Sequence, residues 1–202
     1  MLQQIVDTSG CAATLQIGAR GKDAQPQVAQ MPGDDIQLRA AIHTQGDISL
    51  AIEQVVAAAK ASGATVILPG NVYKHGTEGG VWYEITPQRP VSRKGHIRMD
   101  MEKGYRSSGV QTIILRAGNF VDPEGQDDIM RLFILRDIAK GKITSGGAPG
   151  VTQAWCYVPD WARAAEQLAR MRVGLSSFED IPFPGHNFSI DELRTRLTAY
   201  QS

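Results

Sequence analysis

The feature that most limits how this chain can fold is a repeated pairing of an amphipathic helix with a short, wholly apolar run. Ile48, Ile52, Val55, Val56 and Ala59 recur at helical spacing behind Asp47, a residue suited to capping a helix start, and Gly63 supplies the stop. Thr65-Val66-Ile67-Leu68 follows directly and ends at Pro69-Gly70. An apolar run of that length between turn signals reads as a strand buried on both faces, the kind parallel sheets use. The pairing then repeats. A helix over Gly95 to Ser108 stops at Gly109, and a strand over Val110 to Arg116 ends at Ala117-Gly118-Asn119. Helix, strand, helix, strand with short links predicts an α/β fold, a Rossmann-like parallel sheet with helices on both faces.

The remainder predicts a small C-terminal α+β lobe. It holds a helix near Asp127 to Lys140 closed by Gly141, and a strand over Gln153 to Val158. A helix follows, N-capped by Asp160, with Trp161, Ala164, Ala165, Leu168 and Met171 inward. A last strand and helix close the chain, the helix opened by the capping box Ser189-Ile190-Asp191-Glu192.

The front of the chain is of another kind. All 13 aromatics lie at or after Tyr73, whereas eight of the fifteen glutamines precede residue 46. Rings carry the largest burial payload, so residues 1–45 are expected to form a divergent, loosely ordered segment ahead of a domain over 46–202. Its strand candidates are Leu15-Gln16-Ile17 and Ile36 to Ala40.

Charge narrows the function classes. Twenty-one basic residues balance 21 acidic ones, which excludes the one-signed excess of a dedicated nucleic-acid or polybasic membrane binder. The longest apolar runs fall far short of the ~20 residues that span a bilayer, and the first residues show no signal-peptide pattern. A soluble, cytoplasmic protein is the expectation. Cys11 and Cys156 share no Cys-x-x-Cys spacing and read as free thiols. His43, His75, His96 and His186 lack ligand spacing, so no metal is expected.

Four stretches carry a family resemblance. They are Val66-Ile67-Leu68 with Asn71-Val72-Tyr73; Pro87-Gln88-Arg89-Pro90 with the helix containing Met99-Asp100-Met101-Glu102; Ile114-Leu115-Arg116-Ala117-Gly118-Asn119-Phe120; and Tyr157-Val158-Pro159-Asp160-Trp161-Ala162. In this order they resemble the C-terminal two-thirds of the extended short-chain dehydrogenase/reductase superfamily, in its NAD-dependent epimerase/dehydratase branch. The resemblance covers residues 47–200 and leaves the N-terminal strands missing or rebuilt.

Three departures accompany it. Where the family has a Ser or Thr four residues before the tyrosine, this chain has Pro69. Alignment on Glu102 puts Lys94 in the family's Tyr seat and Arg98 in its Lys seat. Arg98 stays protonated, so it cannot serve as a general base. The run Lys94-Gly95-His96-Ile97-Arg98 is similar to an atypical branch with Lys-Gly-x-Ile-Arg at this helix. The dinucleotide-binding glycine motif is reduced to Gly18-Ala19-Arg20-Gly21-Lys22-Asp23-Ala24, a degenerate phosphate loop or an ordinary Gly-rich turn.

Asn71, Tyr73 and His75 follow a strand's C-terminal end, where open α/β sheets bind ligands. The resemblance implies Lys94 and Arg98 as catalytic residues, and Pro69, Gly70, Asn71, Ala117, Gly118 and Asn119 around NAD or NADP. It implies Tyr73, His75 and Phe120 against a small sugar-like or anionic substrate, and a homodimer. Two readings stay open: an atypical NAD(P)-dependent epimerase/dehydratase or reductase, and a non-catalytic dinucleotide-binding pseudoenzyme, NmrA-like sensor or truncated product.

Overall fold

The computed structural model describes residues 45–125 and 128–200 and the backbone of four strands ahead of them, with side chains from Ile52 onward. Along the chain the elements are β1 (Leu2–Val6), β2 (Ala12–Ile17), β3 (Gln27–Gln30), β4 (Ile36–Ala40), α1 (Gln45–Ser62), β5 (Thr65–Gly70), α2 (Arg93–Ser107), β6 (Thr112–Arg116) and β7 (Asn119–Val121). Then come β8 (Gln153–Tyr157), α3 (Val158–Met171), β9 (Phe178–Pro182), β10 (His186–Phe188) and α4 (Ile190–Ala199). They form two compact units, one of Met1–Arg116 with Ala165–Pro182, the other of Ala117–Ala164 with Phe183–Ser202.

The first unit is built on a seven-stranded sheet in the order β3-β4-β2-β1-β5-β6-β9. Its heart is parallel: Leu68 lies beside Ile114 and Ile114 beside Asp180, while Gly70, Arg116 and Pro182 line up at the strand ends. Every residue of β5 and β6 is buried, as the apolar runs 66–68 and 113–115 at their centres require. The front of the sheet is rebuilt rather than parallel throughout, because β1 runs antiparallel to both β5 and β2. Against β5 and β6 pack Val55 and Ala59 of α1 and Tyr105 of α2, all at 0–1% exposure. Each aliphatic side chain so buried contributes about 1.5–3 kcal/mol. Gly63 and Gly109, with φ of 67° and 75°, end the two helices in the left-handed conformation their stop role demands.

In the second unit β8 lies between β7, parallel, and β10, antiparallel. Trp155 of β8 stacks on Phe188 at 5.3 Å and anchors a core with Met130, Ile134 and Ile190. The capping box forms as its spacing requires: Glu192 N–H donates to Ser189 Oγ at 3.1 Å, and Ser189 N–H donates to the Glu192 carboxylate at 2.6 Å.

Three expectations are corrected here. The helix expected near Asp127 to Lys140 is instead a single π-turn, Met130–Ile134, and a 3-10 turn, Ile138–Lys140. Thr144 N–H takes the Ile134 carbonyl that a continuing α-helix would give to Ile138, and Ile138 bonds Leu135 instead. Asp160 is not an N-cap, because Pro159 suits a first turn and α3 already begins at Val158. Its carboxylate pairs with Arg163 one turn on. Met171 is 60% exposed rather than inward, and Ala169 takes the buried place one turn after Ala165. Gly18 to Ala24 and Cys11 lie outside the described residues.

Two glycines of α2 give a matched test. A Cβ on Gly95 would sit 2.6 Å from the Tyr73 carbonyl oxygen and 2.9 Å from Pro90 Cβ, whereas on Gly104 it would meet only Ile52 Cγ2 at 3.8 Å. Urea denaturation should show Gly95→Ala destabilised by about 1–3 kcal/mol. Gly104→Ala should be stabilised by about 0.4–1 kcal/mol.

Candidate functional site

The C-terminal ends of β5 and β6 carry a buried charge cluster. Lys74 stands on a 3-10 turn, Tyr73–His75, directly after β5. Glu102 projects from α2, Arg116 ends β6 and Asp180 lies on β9. Arg116 bonds Asp180 through Nε and Nη2 at 2.9 and 2.8 Å, and Glu102 through Nη1 and Nη2 at 3.0 Å each. Nη1 also donates to the Asn71 carbonyl, so all five guanidinium N–H groups have acceptors. Lys74 Nζ bridges the two carboxylates, at 2.8 Å to Glu102 and 2.6 Å to Asp180. Exposure of these four side chains runs from 2% to 13%.

The cluster is electrically matched, two cations to two anions. Burial works to lower the Arg116 pKa, but its hydrogen bonds to Asp180 and Glu102 outweigh that and hold it above the ordinary value. Burial raises the Asp180 carboxyl, and Arg116 and Lys74 more than reverse the effect. Sequence reasoning used Glu102 only as an alignment anchor and missed the cluster. The signal it passed over was a charge, Arg116, closing an otherwise apolar strand.

Beside the cluster Arg98 meets Pro69. Arg98, 7% exposed, donates from Nη2 to the Pro69 carbonyl oxygen at 2.8 Å and from Nη1 toward Met101 S at 3.3 Å. The guanidinium is thus held on the backbone at the end of β5. Burial pushes its pKa down, and Glu102 pushes part of the way back. Lys94, one turn earlier, is exposed on the first turn of α2. Gly95 between them lets that turn press against the Tyr73 carbonyl. Arg98 thus adds a buried guanidinium at the strand end beside the matched cluster. That donor set fits an anion-bearing ligand.

The remaining site candidates of this unit have local duties. Gly70 is required by packing, since a Cβ there would lie 2.6 Å from Ile114 Cγ2 and 2.9 Å from Arg116 Cα. Asn71 Oδ1 accepts from Tyr73 N–H at 3.1 Å, fixing the turn, and Tyr73 itself is 51% exposed. His75 is buried with its ring stacked on Trp82 at 5.8 Å. Burial lowers its pKa, opposed by the Pro87 carbonyl and aided by Lys74.

In the second unit Ala117 is buried, and a Cβ on Gly118 would collide with the Ala154 backbone. Asn119 Nδ2 donates to Gln153 Oε1 at 3.2 Å, and Phe120 meets Trp161 edge-on at 6.1 Å. Cys156 is buried, and that burial pushes its thiol up to about 12, leaving it unreactive. Among the described residues no group of three or more His, Cys, Asp or Glu gathers to hold a metal, and no helix is long and apolar enough to cross a membrane.

Two outcomes are expected. Glu102→Leu strands Lys74 and Arg116 with a single carboxylate and should cost about 3–5 kcal/mol in urea denaturation. Lys103→Ala, at an exposed neighbouring position, should stay within about 0.5 kcal/mol. The depressed His75 pKa contributes stability that is complete above the ordinary value of 6.5 and is lost as pH falls toward the folded value. Asp180 behaves likewise below about pH 3.9. Between pH 7 and 5 the parent should therefore lose more stability than His75→Asn.

No family model and no curated protein matches the sequence. Solved structures do. dTDP-glucose 4,6-dehydratase from Streptomyces venezuelae, solved with NAD, is 16% identical over 80% of this chain and 56% of its own, with a TM-score of 0.59. The dTDP-glucose 4,6-dehydratase of Bacillus anthracis, also in complex with NAD, is 15% identical over the same shares, with a TM-score of 0.63. L-threonine dehydrogenase from Phytophthora infestans is 16% identical over 81% of this chain and 61% of its own, again at 0.63. The chain thus spans little more than half the length of the proteins it resembles. Its α/β architecture is the Rossmann-like fold that these solved structures share.

Proposed function

We propose that this chain is an atypical NAD(P)-dependent epimerase/dehydratase- or reductase-like protein that handles a small sugar-like or anionic substrate without the usual Ser/Tyr/Lys triad. The observation that carries the reading is Arg98, a buried guanidinium seated on the Pro69 carbonyl at the C-terminal end of β5. In open α/β sheets that end of the strands is where ligands bind. NAD(P) supplies hydride transfer when bound. The chain's own residues then do three things. Arg98 offers a fixed positive charge, which holds an anionic group or stabilises developing negative charge but moves no proton. Lys94, exposed one turn away, is the group able to exchange protons with substrate or solvent. Gly95 and the Lys74–Glu102–Arg116–Asp180 cluster hold the turn and strand ends on which both depend.

NADH and NADPH fluorescence titrations test this. The parent chain should bind one of them at sub-millimolar concentration. Arg98→Met, with the charge gone, should bind roughly tenfold more weakly or worse. Lys94→Met should bind as the parent does and lose turnover on sugar-nucleotide substrates. No binding of either nucleotide at millimolar concentration would favour a chain without cofactor function.

A further inference from the structure

His75 combines features that no role in packing explains. The ring is 6% exposed, yet its Nε2 has no hydrogen-bond partner among the described residues. A buried polar atom left unpaired is costly, so native chains rarely keep one without a use. Its other nitrogen, Nδ1, lies 3.3 Å from the Pro87 carbonyl oxygen. A carbonyl only accepts, so Nδ1 carries the proton of the neutral ring and Nε2 is a bare acceptor. One face of the ring is covered by Trp82, whose indole is itself only half-buried.

We infer that His75 Nε2 is a fixed hydrogen-bond acceptor for a hydroxyl group of the bound substrate, with the Trp82 indole as the apolar wall beside it. This rests on the reading of the unit as a sugar-handling site and gives that reading a residue-level selectivity. A bare acceptor takes an O–H or N–H and rejects an acceptor-only carboxylate or phosphate oxygen. His75 therefore addresses the polyol part of a ligand, while Arg98 addresses an anionic part.

The surroundings keep the ring in this state. Lys74 on the same turn and Arg116 from β6 disfavour an imidazolium, Asp180 from β9 favours one, and burial favours the neutral form most. Glu102 from α2 is occupied by Lys74 and Arg116, and the loop's own Glu78 and Arg89 pair with each other at the surface. The ring packs against the loop that carries Trp82. Residues 76–92 contain no helix or strand and leave Val81, Tyr83, Ile85 and Val91 exposed.

The test is nitrogen NMR of histidine-labelled full-length chain, with the His75 signals identified by their loss in His75→Asn. The free chain should show the Nδ1–H tautomer and an unbonded Nε2. Millimolar UDP-glucose or glucose should shift the Nε2 signal toward that of a hydrogen-bonded acceptor and lower the pH at which the ring protonates. His75→Asn retains a donor where Nδ1 stood and lacks the ε acceptor, so UDP-glucose affinity should fall roughly tenfold. His75→Gln, which restores an acceptor near the ε position, should recover most of it, and NADH affinity should be equal in all three. An Nε2–H tautomer, an Nε2 signal unmoved by both probes, or equal UDP-glucose affinity in parent and His75→Asn would overturn the inference. If NADH binds while His75 stays silent, the selectivity fails and the cofactor reading stands. If His75 responds and neither nucleotide binds, the reverse holds.

Discussion

Arg116 is the point on which the first unit turns. It ends a strand whose other residues are all buried, and its guanidinium has no route to bulk water. Taking such a charge from water costs several kcal/mol unless partners replace the lost hydration. Five acceptors do so, and they come from different parts of the chain: Asp180 on β9, Glu102 on α2 and the Asn71 carbonyl after β5. Satisfying one residue therefore fixes the mutual position of a helix, a strand and the turn that carries Tyr73, Lys74 and His75. Lys74 completes the charge match and closes the arrangement.

This framework explains the chemistry left at the strand ends. The matched pairs are spent on one another, so they add no net charge to a ligand site. Arg98 stands beside that matched set, with one bond to the Pro69 carbonyl. Its planar guanidinium donates to the Pro69 carbonyl and toward Met101 S at once, which the point charge of an ammonium would do less rigidly. Gly95 is part of the same arrangement, because any side chain there would push α2 off the Tyr73 turn.

What was legible in the sequence was local. The apolar runs of β5 and β6, the stripes of α1 and α2, the glycine stops and the Ser189–Glu192 box depend on neighbours within a few residues, and their patterns read directly. The helix expected near Asp127 failed because a residue ten positions away, Thr144, captured the Ile134 carbonyl, which no helical pattern announces. The charge cluster was hidden for the same reason on a larger scale: Lys74 finds Asp180 across 106 residues, a pairing only the parallel sheet creates. Lys94 and Arg98 come as a pair only from the family resemblance. The fold treats them differently, leaving Lys94 in solvent on the first turn of α2 and tying Arg98, one turn further along, to the backbone at the end of β5.

The claim at the centre is that a non-titrating cation at the end of β5 governs recognition of an anionic cofactor. Calorimetric titration of the chain with NADH and NADPH, repeated between pH 7.5 and 9 in buffers of different ionisation enthalpy, reads this directly. A fixed guanidinium predicts measurable binding with no net proton taken up or released across that range. Uptake or release of a whole proton on binding, or no heat at millimolar nucleotide, would contradict it.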